Sequence, residues 1–310
     1  MDPPRVLSIQ SHVVHGHVGQ KSSVFPLQLH GHDVDVINSV HFSNHTGYTG
    51  GFQGTVLQGA ELLAILQGLV SNKLFSADIL LTGYIGSKSF LQAVLTVLKT
   101  LKSTNPNALY FCDPVLGDNG KFYVPEELVG IYKAEVLPQA DVVTPNEFEV
   151  LKLTGIEVTD LATAKLACRS LHEVGPSIVV ITSVSFKSTS PDRLTVVASS
   201  AKLKKCWTCT TPVVPGKYTG TGDLFTALLL AWYAKLDNDL PRALEKVVQS
   251  LFFIIKNTHE HGGSGSELRL IQSKEILERG GGGLAETEEL LAEGFFVARL
   301  ENENLFKGSK

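Results

Sequence analysis

Six short apolar runs rich in β-branched residues recur along this 310-residue chain, and most are followed by a stretch with helical spacing. They occupy residues 5–10 (RVLSIQ), 33–39 (DVDVINS), 77–82 (ADILLT), 108–112 (ALYFC), 140–144 (ADVVT) and 177–182 (SIVVIT). Most are apolar on both faces, as a strand needs when helices cover the sheet on either side. Helices are predicted over 55–71, 88–102, 126–137, 147–154 and 163–174, and further on over 223–235 and 240–258. Residues 193–198 and 202–210 read as an antiparallel pair. The alternation predicts a doubly wound, mostly parallel α/β sheet with helices on both faces and an antiparallel edge.

Composition narrows the function classes. A 43% hydrophobic and 19% charged chain of net charge −4 is ordinary for a globular enzyme. It offers no electrostatic reason to bind nucleic acid or an anionic membrane. No apolar run reaches the roughly 18–20 residues that span a bilayer. The first residues lead straight into a strand, which predicts a chain without a leader in the cytoplasm, and four cysteines do not make a disulfide scaffold. A single domain is expected over 1–279. The glycine run 280–283 and the Glu-rich stretch to 310 predict a poorly packed tail.

The sharpest local signal is Gly220-Thr221-Gly222-Asp223, which runs directly into the apolar segment LFTALLLAW. The N–H groups of Gly220, Thr221 and Gly222 would be free donors at a helix N-terminus, a ready anion site. Asp223 then places a carboxylate beside that site, where it can take a proton from an attacking hydroxyl as phosphoryl transfer begins. Sequences of the types GxxxxGK[ST], GxGxxG after the first strand, and GxSxG are absent, which weighs against P-loop, dinucleotide and α/β-hydrolase chemistry.

The strand ends converge on one edge, where open α/β sheets bind ligands. That edge would collect Ser11-His12, the loop 40–48, Gly83-Tyr84, Asp113 to Asp118, Asn146 to Glu149, and Ser183. Asp113 and Asp118 either cap a turn or hold a hard cation against phosphates, and Asn146 is either an N-cap or part of the same acidic side. Cys206-Trp-Thr-Cys209 lies in a strand-like run without a second pair at metal-ligand spacing, so it reads as structural. Seven of the ten histidines precede residue 46 and read as solvated loop residues rather than a metal cluster.

Taken together, these residues resemble the pyridoxal kinases of the ribokinase-like superfamily. The resemblance rests on 5–12 (RVLSIQSH), 38–40 with 42–48 (FSNHTGY), 81–84 (LTGY), 112–118 (CDPVLGD), 123–126 (YVPE), 144–146 (TPN) and 220–225 (GTGDLF), in order from about residue 5 to about residue 275. It implies ATP-dependent phosphorylation of the 5′-hydroxymethyl group of pyridoxal, and of pyridoxine and pyridoxamine. Asp223 would be the general base and Gly220–Gly222 the anion hole. Ser11 and Thr46 would hydrogen-bond the pyridine ring and its substituents, with Tyr84 packed on the ring and Val18 and Val40 as walls. Asp113, Asp118, Asn146, Glu149, Thr182, Ser183 and Thr221 would line the ATP side. Asp113 and Asp118 would hold Mg²⁺ (or Zn²⁺), and Thr144 and Thr182 with Asp113 a monovalent cation, K⁺ or Na⁺. The resemblance also implies a homodimer. The chain departs from it at 119–123, shorter than in the animal enzymes, at 214–217, and after residue 279. A hydroxymethylpyrimidine or sugar kinase of the same superfamily would share the Gly-Thr-Gly-Asp turn but lack the SNHTGY loop. A silent B6-binding protein would have little use for Asp223, Asp113 and Asn146 together.

Overall fold

The computed structural model describes residues 3–186 and 191–301. Its strands, in chain order, are β1 (Val6–Val13), β2 (Val34–Phe42), β3 (Gly54–Val56), β4 (Ile79–Thr82), β5 (Leu109–Cys112), β6 (Gly117–Asp118), β7 (Lys121–Phe122), β8 (Val142–Val143), β9 (Ile178–Val184), β10 (Arg193–Ser200), β11 (Lys205–Pro212) and β12 (Arg299–Leu300). All but β6 and β7 form one ten-stranded sheet in the order β12-β11-β10-β9-β8-β5-β4-β1-β2-β3. The block from β9 to β2 is parallel. The predicted antiparallel pair is β10–β11, extended by β12. A second antiparallel strand, β3, closes the opposite edge and occupies residues predicted to start a helix, which instead spans Gly59–Ser71.

The two-residue side-chain period splits the core cleanly. Leu80, Tyr110, Cys112, Val143, Val179 and Ile181 face the helices between Gly59 and Val174. Ile79, Leu81, Phe111, Val142, Ile178 and Val180 face the helices Thr221–Lys235 and Leu240–Gly262. Cys206 and Cys209, three residues apart on β11, fall on opposite faces. All four cysteines are free and buried, and burial pushes the Cys206 thiol up to about 12, which is the setting of inert structural thiols.

From β1 the chain steps to β2 on one side and later to β4 on the other, so the winding reverses between β1 and β4. A crevice opens at that reversal, outside the strands' C-terminal ends. The β1–β2 connection carries a helix that the sequence pattern did not reveal, Gln20–Leu29. Its buried face is largely polar: Gln20 accepts from Ser8 Oγ at 2.7 Å, Ser22 donates to the His17 carbonyl at 2.7 Å, and Ser23 donates to the Asp223 carbonyl at 3.2 Å. A buried face of Gln and Ser beside Pro26 and Leu27 leaves no apolar stripe to read.

The described part of the expected tail, 280–301, packs at two places, Gly280 to Gly282 and Phe295 to Phe296, while the helix Leu284–Ala292 between them buries none of its residues. A Cβ on Gly280 would lie 2.6 Å from the Trp232 ring, and one on Gly282 2.5 Å from Phe253. The run is glycine-rich because it lies flat on packed helices. Beyond it, helix Leu284–Ala292 leads to Phe295 and Phe296, both buried, and then to β12 on the sheet edge. The remainder of the predicted tail, 302–310, lies outside the described residues.

Candidate active site

The predicted anion turn forms as expected. Gly220 is the N-cap of helix Thr221–Lys235, at φ 84°. A Cβ there would lie 2.1 Å from the His17 carbonyl oxygen, so both the left-handed backbone and the close approach require glycine. Among the described residues, nothing accepts a hydrogen bond from the N–H groups of Gly220, Thr221 or Gly222, and Gly222 is exposed. The turn is therefore an open, positively polarised helix end.

Asp223 follows in the first turn, and its Oδ2 accepts from the Gly19 N–H at 2.8 Å. Oδ1 accepts from no described residue, which leaves it available to a hydroxyl. Burial raises the carboxyl to about 6, with the Gly19 hydrogen bond opposing that shift. Gly19 was not singled out in the sequence, although Gly16 and Gly19 between a strand and a polar helix were a visible signal. Its conformation is strained for any other residue, at φ 52°, and a Cβ would strike the Ser11 carbonyl at 2.2 Å and the Ser11 hydroxyl at 2.3 Å. Through Gly19 the fold therefore brings Ser11 next to the partner of Asp223. Ser11 is not beyond β1 but within it, just past Gln10, where the register shifts because β2 carries the extra residue Ser39.

Beside this pair lies a small apolar cluster of Val13, Val18, Val40 and Phe42, with Tyr84 packed against it. Val18, Val40 and Tyr84 were predicted as walls; Val13 and Phe42, hidden in continuous strand sequence, were not. Tyr84 is fixed at both ends, its carbonyl by Ser39 Oγ and its hydroxyl by a 3.2 Å bond to the Tyr123 carbonyl. Thr46 is exposed on the loop between β2 and β3. Its neighbours are anchored: Tyr48 Oη donates to Glu267 at 2.7 Å, and His45 Nε2 lies 3.3 Å from the same carboxylate.

On the other side of the turn, Asp113 is buried at the end of β5. A Cβ on Gly222 would lie 3.6 Å from its Oδ2. Burial, reinforced by Glu149 and Asp223, pushes its carboxyl well above the usual range. No described residue donates to its carboxylate. Asp118 is exposed in the β6–β7 hairpin and accepts from both the backbone N–H and the side-chain amide of Asn119 at 2.7 Å, the local turn-capping arrangement.

Asn146 is an N-cap, as one of its two readings held: it accepts from the Glu149 N–H at 2.9 Å, and Glu149 returns the bond to the Asn146 N–H at 2.8 Å. The pair also reaches across the site, Asn146 donating to the Gly117 carbonyl at 2.8 Å and Glu149 accepting from the Leu116 N–H at 3.0 Å. Glu149 is thus occupied with holding the 116–117 turn. Thr144 is buried and shares a 2.7 Å hydrogen bond with Thr226 of the Thr221–Lys235 helix. Thr182 and Ser183 are half-buried in β9, which continues to Val184, so Ser183 belongs to the strand rather than to a loop after it. Among the described residues, no three His, Cys, Asp or Glu side chains group as metal ligands. None of their helices is long and apolar enough to cross a membrane.

The sheet order and the Gly-Thr-Gly-Asp turn at its C-terminal edge define a ribokinase-like fold, and residues 29–267 match the family model described as phosphomethylpyrimidine kinase. The chain is 48% identical to a pyridoxal kinase of Arabidopsis thaliana over 286 residues, covering 88% of this chain and 91% of that one. It is 40% identical to human pyridoxal kinase over 297 residues, covering 88% and 95%. The Leishmania donovani pyridoxal kinase structure with ADP and pyridoxine superposes with a TM-score of 0.85 at 38% identity, over 96% of this chain and 98% of that one. The chain belongs to the pyridoxal kinase family.

Proposed function

We propose that this protein transfers the γ-phosphoryl group of ATP to the 5′-hydroxymethyl group of pyridoxal, pyridoxine and pyridoxamine. The observation that carries the reading is the convergence, at the β1–β4 crevice, of an unpaired helix N-terminus, a carboxylate oriented by Gly19, and the apolar cluster of Val18, Val40 and Tyr84 that begins one residue before Gly19. Membership of the pyridoxal kinase family supports the choice of acceptor.

Asp223 Oδ1 takes the proton of the acceptor hydroxyl as the P–O bond forms, which a primary alcohol needs because its own pKa lies far above 7. The amides of Gly220, Thr221 and Gly222 receive the charge that develops on the transferred group and its leaving partner. Ser11 and Thr46 hold the polar substituents of the pyridine ring, while Val18, Val40 and Tyr84 enclose its faces. ATP occupies the side bounded by Asp113, Asp118, Thr182, Ser183 and the 116–117 turn, which Asn146 and Glu149 hold in place. The buried Asp113 carboxylate, which accepts from no described residue, fits a hard cation, so Asp113, with Asp118, would hold Mg²⁺, whose chemistry there is neutralisation of phosphate charge. Thr144 and Thr182, with Asp113, would supply the oxygens for K⁺ or Na⁺. Four free buried cysteines suit a reducing compartment, the cytoplasm.

An ATP-consumption assay with each vitamer, with hydroxymethylpyrimidine and with ribose, with and without K⁺, tests the reading. Turnover of at least one vitamer above both other acceptors is expected. Preference for hydroxymethylpyrimidine would transfer the chain to the alternative substrate class. A homodimer is part of the same proposal: helix Gly59–Ser71 and its surroundings expose Leu63, Ile65, Val70 and Leu74, an apolar surface that a second copy would cover. Light scattering after size exclusion should give a mass near twice the 33.5 kDa chain, and a monomer at micromolar concentration would remove this element.

A further inference from the structure

Glu267 lies in a loop far along the chain from the acceptor pocket, beyond the long helix Leu240–Gly262. Yet its carboxylate meets three groups from two other segments. Oε2 accepts from the His17 N–H at 2.7 Å, while Oε1 accepts from Tyr48 Oη at 2.7 Å and lies 3.3 Å from His45 Nε2. Gly16 makes room for it, since a Cβ there would sit 2.5 Å from the carboxylate. The loop that carries Glu267 is pinned as well: Lys217 N–H donates to Ser264 Oγ at 3.1 Å, and Gly265 N–H donates to the Lys217 carbonyl at 3.0 Å. Burial acts to raise the Glu267 carboxyl, but the His45, Tyr48 and His17 contacts outweigh it and hold it at about 2, so the group is an anion at any working pH.

The segments it joins are those that make the acceptor side. His17 is two residues before Gly19, whose N–H orients Asp223, and its carbonyl is the atom against which Gly220 closes. His45 and Tyr48 flank Thr46. We infer that Glu267 is a positioning residue for the alcohol substrate: its carboxylate fastens the 43–48 loop to the 16–19 segment, so that the vitamer pocket and the base are held in one register. This rests on the functional reading above and adds to it a residue that touches neither substrate. It also accounts for why a loop behind the glycines 262, 263 and 265 ends in a half-buried glutamate rather than in another small residue.

The test is steady-state kinetics of Glu267→Ala, Glu267→Gln and Tyr48→Phe, varying pyridoxal and ATP separately. A hydrogen bond to a charged group is worth enough to predict a rise in the pyridoxal KM of roughly ten- to a hundredfold in Glu267→Ala, with the ATP KM within about twofold of wild type. Glu267→Gln, which keeps one acceptor for His17 N–H, should recover part of the loss. Tyr48→Phe removes a single exposed hydroxyl and cannot unfold the protein; its pyridoxal KM should rise about three- to tenfold. A wild-type pyridoxal KM in Tyr48→Phe and in either Glu267 variant overturns the proposal. So does an equal rise in both KM values, which would mark a merely structural residue. Absence of vitamer turnover in the wild type overturns the functional reading, and this proposal with it.

Discussion

Replacing Asp223 by asparagine should lower kcat by about 10²–10⁴ and at the same time raise the melting temperature at pH 8. The first effect follows from the loss of the proposed proton acceptor beside the helix N-terminus; ATP binding, assigned in the proposed function to the amides and the Asp113 side, should be largely retained. The second follows from linkage. Burial raises the folded-state carboxyl to about 6, above its ordinary value near 4. The folded protein therefore binds this proton more tightly than the unfolded chain does. The resulting stabilisation is complete below about pH 4 and is lost as pH rises through about 6. Above that the wild type carries a buried anion, which asparagine removes while its side-chain oxygen can still accept from Gly19. Each kcal/mol so recovered is worth on the order of 2–4 °C. Thermal melts at pH 5 and pH 8 should show the gain at pH 8 and little of it at pH 5. The wild-type kcat should climb with pH through about 6. Near-normal turnover in the variant would remove Asp223 as base, and a lower melting temperature at pH 8 would remove the account of its burial.

Gly220→Ala should be damaging twice over, in folding and in catalysis. The added Cβ meets a backbone carbonyl, that of His17, at 2.1 Å, and a residue at φ 84° is strained whatever space it has. Either the turn or the 16–19 segment must move, and both hold catalytic geometry. A fall in kcat/KM of about 10²–10³, the scale of losing one oriented donor, is expected together with a loss of several degrees in melting temperature. Gly222→Ala provides the contrast. Its nearest neighbour would be Asp113 Oδ2 at an ordinary 3.6 Å, and its φ is not positive. That variant should melt like the wild type and lose activity through its ATP KM, since the methyl group enters the nucleotide side. Equal melting temperatures for both variants would contradict the close approach of Gly220 to His17.

What could be read in advance follows the range of the physics involved. The parallel sheet was legible because a strand covered on both faces must be apolar throughout, and that is a property of consecutive residues. The Gly-Thr-Gly-Asp turn was legible for the same reason: helix N-terminus, anion site and carboxylate lie within four residues. The helix Gln20–Leu29 was not, because its buried face includes Gln20, Ser22 and Ser23 beside Pro26 and Leu27, and the partners of the polar three, Ser8, His17 and Asp223, are supplied by other segments. The packing of Gly280 to Gly282 was hidden on similar grounds. A glycine run signals flexibility only when nothing covers it, and here Trp232 and Phe253 lie against it.

By itself, then, the sequence determined the architecture and placed a carboxylate, Asp223, at the helix N-terminus proposed as the site of phosphoryl transfer. The tertiary structure decided what holds that carboxylate. Gly19 orients Asp223 across 204 positions of chain, and Glu267 reaches His17 across 250. Such contacts have no period and no spacing. They exist only once the sheet has brought the ends of β1 and β2 against the loops that follow β11 and the last long helix, because a hydrogen bond is specified by the place of two atoms and not by their distance along the chain.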